Sequence, residues 1–259
     1  MFSLEGKTII ITGGATHLGK AMSESICQFG GNVIICSRNV KRNIEYAEML
    51  NKQYLVKCVG AYLNICDEVS VNELFLYAIK EYKTVDVLIN NATFSKPDYI
   101  ESQQYNDFMQ GLEGTIGGAF NTTKKALKIM MKQNHGNIIN ISSMYGLVSP
   151  NPDMYRKTQI PPNPSNYGCG KAAVIQFTKY LACNYATYGI RANCIAPGAF
   201  PSPDVQENVQ FIENIKEKNP MKRIGVPDDL KGITVFLASE ASSYITGQCI
   251  NVDGGWTAW

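Results

Sequence analysis

The chain has 259 residues, 45% hydrophobic and 18% charged, with a formal net charge of +2. That length and balance suffice for a buried core and exclude a disordered or fibrous chain. Lys and Arg are spread along the sequence and form no basic run, so neither nucleic acid nor an anionic membrane surface is indicated as a partner.

The N-terminal stretch MFSLEGKTIIITGG has an acid and a lysine ahead of a short apolar run and lacks the apolar core of a signal peptide. No segment reaches the roughly 18 apolar residues of a membrane span, so the expected location is the cytoplasm. Eight cysteines and only two histidines, His17 and His135, give no metal-ligand spacing. No metal is expected, and the cysteines read as reduced and mostly buried.

Short β-branched runs alternate with longer segments of helical periodicity. In chain order the strands are expected at 7–12, 32–37, 54–59, 86–90, 137–142, 191–196 and 249–253, and the helices near 18–29, 40–51, 68–81, 103–132, 167–187 and 227–237. That order predicts one α/β domain over 1–259, a Rossmann-type doubly wound, seven-stranded parallel sheet with helices on both faces. The segment 149–166 holds five prolines and is expected to be a structured loop. It and the stretch 199–215 are expected to wall a substrate.

Chemistry gathers at several points along this frame. Gly13 and Gly14 follow the first strand and lead into a helix, a turn that lets the backbone approach a pyrophosphate at a helix N-terminus. At the end of the second strand Ser37 stands where an NAD site usually carries an acid, and Arg38 follows it. A guanidinium there can bind a 2′-phosphate, with Arg42 one helical turn on, so NADP(H) is expected. Tyr167 and Lys171 lie at i and i+4, on one helical face. A phenol with an ordinary pKa of about 10 is a poor base near neutrality, and a nearby ammonium is expected to lower it. Tyr155 has Gln159 at i+4 and prolines around it, so it cannot form that pair.

In order and spacing these motifs resemble the short-chain dehydrogenases/reductases over almost the whole chain. The resemblance implies cofactor contacts from Gly13, Thr16, His17, Leu18 and Gly19, which match the TGxxxGxG turn except that His17 fills the middle glycine position. Two readings of His17 stay open, a ring directed at a phosphate and a first-turn residue facing elsewhere. Asn64 and Ile65 take the place of an Asp-apolar pair beside adenine, and the Asn carbonyl can still accept from the amino group. Asn90, Asn91, Ala92 and Thr93 resemble NNAG with Thr93 in place of glycine. Asn90 is read either as a cofactor contact or as a tie between strands, and Thr93 faces the ribose or the substrate. Pro197 and Gly198 resemble the segment that cradles nicotinamide, with Ser202 near the carboxamide or the phosphates.

For catalysis the resemblance implies Ser143 as the serine that hydrogen-bonds the substrate oxygen, with Ser142 as the alternative, and Tyr167 as the proton donor and acceptor beside Lys171. Thr115 stands where the family usually has an Asn holding a relay water behind the lysine. The expected reaction is NADP(H)-dependent interconversion of a secondary alcohol and a ketone. The loop with Tyr155, Arg156 and Lys157 is similar to that of gluconate 5-dehydrogenase-like and flagellar-glycan sugar oxidoreductases, so a sugar-derived substrate in carbohydrate metabolism is expected, with a 3-oxoacyl thioester or general ketone as the alternative. The last helix and strand of the family commonly build subunit contacts, which implies a homodimer or homotetramer. The departures at His17, Asn64, Thr93 and Thr115 motivate a reading of another class, a dinucleotide-binding sensor or subunit whose catalysis has decayed; Ser143, Tyr167 and Lys171, retained in order, speak against it.

Overall fold

Isoleucine and valine at successive strand positions feed two cores, because alternate side chains of a strand leave opposite faces. Ile9, Ile11, Val33 and Ile35 enter one core, and Ile10, Ile34 and Leu88 the other. The computed structural model describes residues 1–96 and 99–258. In chain order it contains β1 (Thr8–Thr12), α1 (His17–Gln28), β2 (Asn32–Ser37), α2 (Val40–Gln53), β3 (Cys58–Tyr62), α3 (Glu68–Tyr82), β4 (Val87–Asn90), α4 (Tyr105–Leu112), a π-helical turn (Glu113–Gly117) and α5 (Gly118–Gln133). β5 (Gly136–Ile141), α6 (Ser165–Tyr185), β6 (Ile190–Pro197), α7 (Pro203–Gln206), α8 (Val209–Lys218), α9 (Lys231–Ala238) and β7 (Cys249–Val252) complete it.

The strands form one parallel sheet in the order β3-β2-β1-β4-β5-β6-β7. α1, α2 and α9 supply Met22, Leu50 and Leu237 to one core, while α3, α5 and α6 supply Phe75, Met130 and Leu181 to the other. The fold is therefore the expected doubly wound sheet in a single domain. The chain winds leftward from β1 and then crosses to β4, so the carboxyl ends of β1 and β4 flank a crevice, the place where such sheets bind ligands. Among the described residues no helix is long and apolar enough to cross a membrane.

Three expectations about elements need correction. The third strand is not 54–59 but Cys58–Tyr62. Its Gly60, which reads as a breaker, is small because α2 crosses it: a Cβ there would lie 2.2 Å from the Ile44 nitrogen. The helix expected over 103–132 is split by the π-turn at Glu113–Gly117. Glycines permit that approach, since a Cβ on Gly114 would lie 2.7 Å from the Phe94 ring and one on Gly118 2.4 Å from Ile65. The stretch 199–215 is not loop throughout: Pro203 opens α7, and Asn208 caps α8 by accepting from the Phe211 N–H at 3.0 Å.

Candidate active site

Above the carboxyl ends of β1, β2 and β4 lies a cleft of about 550 Å³. Gly13 makes its floor with φ +69°, and a Cβ there would sit 2.9 Å from Asn91 Nδ2. Thr12 fixes this turn against the β4 loop, its hydroxyl accepting from the Asn91 and Ala92 N–H groups at 3.0 and 2.9 Å. Gly19 is buried beneath the turn, where a Cβ would meet the Gly13 carbonyl at 2.1 Å, so its part is to seat α1 and it does not line the cleft. The first turn of α1 carries no acidic residue. Free N–H groups at the start of this 12-residue helix can therefore meet an anion unopposed.

Thr16, His17, Leu18, Ser37, Arg38 and Arg42 line the cleft. His17 has φ +42°, and its Nε2 lies 2.8 Å from the Phe200 carbonyl oxygen, which ties the glycine turn to the segment after β6. Ser37 donates its proton to Asn43 Oδ1 at 2.8 Å, and Asn43, fully buried, donates in turn to the Ala61 carbonyl. Ser37 thus shapes the end of β2 through α2. Arg38 is exposed, with its guanidinium over the Phe94 ring at 5.6 Å from the centroid. Among the described residues the cleft lining includes no Asp or Glu.

Asn64, Ile65, Asn91, Ala92 and Thr93 line the same cleft. The Asn64 side-chain carbonyl, expected at an adenine, accepts from the Cys66 N–H at 3.2 Å. Asn90 is a tie between elements: its amide donates to Thr123 and Asn140, and its carbonyl accepts from Thr122. Thr93 and Thr115 share a hydroxyl hydrogen bond of 2.9 Å, held by the π-turn. Thr115 is buried and packs beside Gly170 of α6, but it does not line the cleft. Its hydroxyl is thus engaged by Thr93.

Tyr167 and Lys171 come from the first turns of α6, which starts at Ser165, directly after Pro164. Lys171 is buried, and its Nζ donates to the Ile141 carbonyl at 2.8 Å while lying 5.6 Å from the Tyr167 ring centroid. Burial pulls this ammonium down to about 8, because a charge is poorly solvated there. Burial also pushes the Tyr167 phenol above its ordinary value, and a hydrogen bond with Ser143 draws it back. The expected lowering by Lys171 is not met: desolvation raises this phenol, and the opposing effect comes from Ser143. Of the two serines, Ser142 donates to the Lys171 carbonyl at 2.7 Å and so belongs to α6. Ser143 faces Tyr167 and accepts from the Tyr145 N–H at 3.1 Å.

A second pocket of about 530 Å³ opens beside the first, and the two share Ser143, Tyr167, Gly198 and Phe200. Its walls come from the segments 144–163 and 199–215. Tyr155 is in that wall, packed on Phe211 with ring centroids 5.4 Å apart. Arg156 is not: it pairs with Asp153 at 2.9 Å and points to solvent. Pro197 lines the first cleft with Gly198, but Ser202 lines neither. It sits where α7 begins, its carbonyl accepting from the Gln206 N–H. Phe94 and Phe200, both in the lining, carry no motif; their only signal is an aromatic residue just past NNAT and just past the Pro-Gly pair.

The fold and the crevice define a doubly wound dinucleotide-binding domain. A family model described as enoyl-(acyl carrier protein) reductase matches residues 13–257. The 3-oxoacyl-(acyl-carrier-protein) reductase of Aquifex aeolicus is 32% identical over 254 residues, covering 97% of this chain and 98% of the relative. The enzyme of the same name from Thermotoga maritima is 33% identical over 257 residues, covering 97% and 98%. Among solved structures, a gluconate 5-dehydrogenase from Burkholderia cenocepacia, in complex with NADP and tartrate, is similar with a TM-score of 0.90 and 26% identity, covering 100% of this chain and 98% of that one. The chain belongs to the short-chain dehydrogenase/reductase superfamily, oxidoreductases that bind a nicotinamide dinucleotide.

Proposed function

We propose that this protein is an NADP(H)-dependent oxidoreductase that interconverts a ketone and a secondary alcohol. One observation carries the reading: a cleft lined by Arg38, Arg42 and Lys171, with no Asp or Glu among its described residues, meets a second pocket at Ser143 and Tyr167. A dinucleotide with a 2′-phosphate fits that cleft, because Arg38 and Arg42 supply the charge at the end of β2 and no carboxylate repels it. The NADP in the similar gluconate 5-dehydrogenase supports the same choice.

When bound, the nicotinamide supplies or accepts the hydride, and with it both electrons. The protein's residues manage the proton. In the reduction direction Ser143 donates a hydrogen bond to the carbonyl oxygen, and the Tyr167 O–H bond breaks as its proton passes to that oxygen. Burial favours the neutral phenol, which is the form needed for this donation. Lys171, anchored to the Ile141 carbonyl, sets an ammonium behind the ring that offsets the phenolate left after transfer. Solvent then restores the proton.

The test is a nucleotide titration with NADPH and NADH, followed by absorbance assays against sugars, sugar phosphates, nucleotide sugars, acyl thioesters and simple ketones. NADPH is expected to bind more tightly and to be consumed with at least one ketone. Binding of nucleotide with no consumption by any carbonyl compound would favour the sensor or subunit reading instead.

A further inference from the structure

The second pocket differs from the first in having no charge. None of its described lining residues is Asp, Glu, Lys, Arg or His. The inner wall is built from Met144, Met154, Ile160, Val205, Phe211 and Ile215. These belong to one cluster that continues to Trp256, so the wall is backed by packed core and not by solvent. The two wall segments are already joined, since Asn214 of α8 donates to the Met154 carbonyl at 2.9 Å and to the Arg156 carbonyl at 3.3 Å. The cations that the sequence places in this loop stay outside: Arg156 is held by Asp153, and Lys157 is exposed and absent from the lining.

Beyond the seam with the cofactor cleft, the polar side chains of the lining are few. Three of them form a group: Tyr145 and Tyr155 have hydroxyls 3.4 Å apart, and Asn163 donates to the Tyr155 oxygen from its side chain at 3.4 Å and its backbone at 3.5 Å. The protons can be counted. Two phenols bring two O–H donors, and the bond between them uses one. Both Asn163 contacts point toward Tyr155 oxygen and consume acceptor capacity only. One phenolic proton remains, so the group offers a donor. Burial pushes the Tyr145 phenol further up, so no charge develops there in the working range.

We infer that the substrate is an uncharged ketone, or the corresponding alcohol, with an apolar body and one hydrogen-bond acceptor placed to meet the Tyr145–Tyr155–Asn163 group. This rests on the reaction proposed above and names the substrate class for it. A carboxylate or phosphate in this pocket would lose its water and gain no cation. A polyol would leave hydroxyls facing Met, Ile, Val and Phe, since beyond the seam and the Tyr145–Tyr155–Asn163 group only Gln159 adds a polar side chain to the lining. A keto ester, a neutral keto thioester or a cyclic ketone bearing an ether satisfies both the wall and the donor.

Three probes share one cyclohexanone skeleton, methyl 4-oxocyclohexanecarboxylate, its free acid 4-oxocyclohexanecarboxylate and 4-methylcyclohexanone, and 5-keto-D-gluconate adds a charged polyol. S-Acetoacetyl-N-acetylcysteamine adds a neutral acyl thioester. Each is assayed for kcat/KM with NADPH on the wild type. Binding is measured separately, by calorimetry on Tyr167→Phe saturated with NADPH. The ester is expected to exceed its acid by at least about 100-fold, and 4-methylcyclohexanone by about 3- to 10-fold through its added acceptor. The double variant Tyr145→Phe/Tyr155→Phe, which removes both phenolic protons, should shrink the second ratio toward one and leave the first large, whereas Tyr155→Phe alone leaves the Tyr145 proton available and should change it less. If the acid or 5-keto-gluconate matches or exceeds the ester, or if no neutral probe binds, the inference is overturned. If neutral probes bind and discriminate by charge but none is turned over, the substrate class stands and the proposed reaction falls.

Discussion

The two cavities that meet at Tyr167 are nearly equal in size, about 550 and 530 Å³, yet opposite in character. One is lined by Arg38, Arg42 and Lys171 and approached by a helix N-terminus; the other is walled by methionine, branched aliphatic and aromatic side chains. The contrast follows from how each is built. The cationic side is backbone and strand ends, whose geometry is set by the sheet, so it can carry free N–H groups and exposed guanidinium without costing the core. The neutral side is made of two excursions, 144–163 and 199–215, that have no sheet to support them. They must bury their own apolar residues to stay folded, and the cluster around Met154, Phe211 and Trp256 does this. Stability of the wall and selection of an apolar substrate are thus consequences of the same side chains.

The comparison can be broken most sharply at the seam. Tyr167→Phe should lower turnover by roughly 10²- to 10⁴-fold, the usual worth of a positioned proton donor, and leave NADPH affinity within about twofold. Substantial residual turnover, measured by NADPH absorbance under saturating cofactor, would remove Tyr167 from the role.

Next in size is a pH effect on stability from the buried ammonium. Lys171 in the folded chain has its pKa near 8, below its ordinary 10.5. Between those values the unfolded chain holds a proton that the folded chain has released, so this residue's contribution to stability increases as pH rises from about 8 toward 10.5. Tyr167, shifted upward, acts oppositely only above pH of about 10. Chemical denaturation of wild type and Lys171→Met at pH 7, 8, 9 and 10 should show the wild type gaining on the variant, by up to about 3 kcal/mol over the full range. A flat difference would mean that Lys171 keeps its ordinary pKa.

On the cationic side, Arg38→Ala should weaken NADPH by about tenfold and NADH little, because an exposed guanidinium still contributes a charge-assisted pair to a 2′-phosphate. Equal affinities of the wild type for the two nucleotides would sink the assignment. Phe94→Ala sharpens the point: if the ring holds the guanidinium in place, NADPH should weaken by about threefold, the worth of an exposed cation–π contact. The smallest effect is expected at Thr115→Val, which leaves the Thr93 hydroxyl without its buried partner and should cost about 1 kcal/mol in denaturant unfolding. A neutral result would show that Thr93 finds another partner.

Sequence reading reached the sheet because its signals are local. Runs such as TIIIT and NVIICS bury on both faces, and a Gly-Gly turn leads from the first of them into a helix, so the doubly wound parallel sheet and a ligand cleft at its strand ends followed from periodicity and the winding rules. Boundaries were lost where a neighbour decides. Cys58–Tyr62 is a strand because α2 lies across Gly60, and α4 and α5 are divided because Gly114 and Gly118 admit Phe94 and Ile65. Neither partner is near in sequence.

At the site the same division holds. The sequence alone determined which residue types stand at the ends of β1, β2, β4 and β5 and at one face of α6, since i and i+4 fix Tyr167 and Lys171 on a common side. Only the tertiary structure decided what each then does with its polar atoms. His17 is turned to the Phe200 carbonyl, Ser142 to the α6 backbone, Ser37 to Asn43, Thr115 to Thr93, and Arg156 to Asp153 and solvent. A hydrogen bond depends on a partner within about 3 Å, and for His17, Ser142, Ser37 and Thr115 that partner lies on another element of the fold, so no local pattern specifies it.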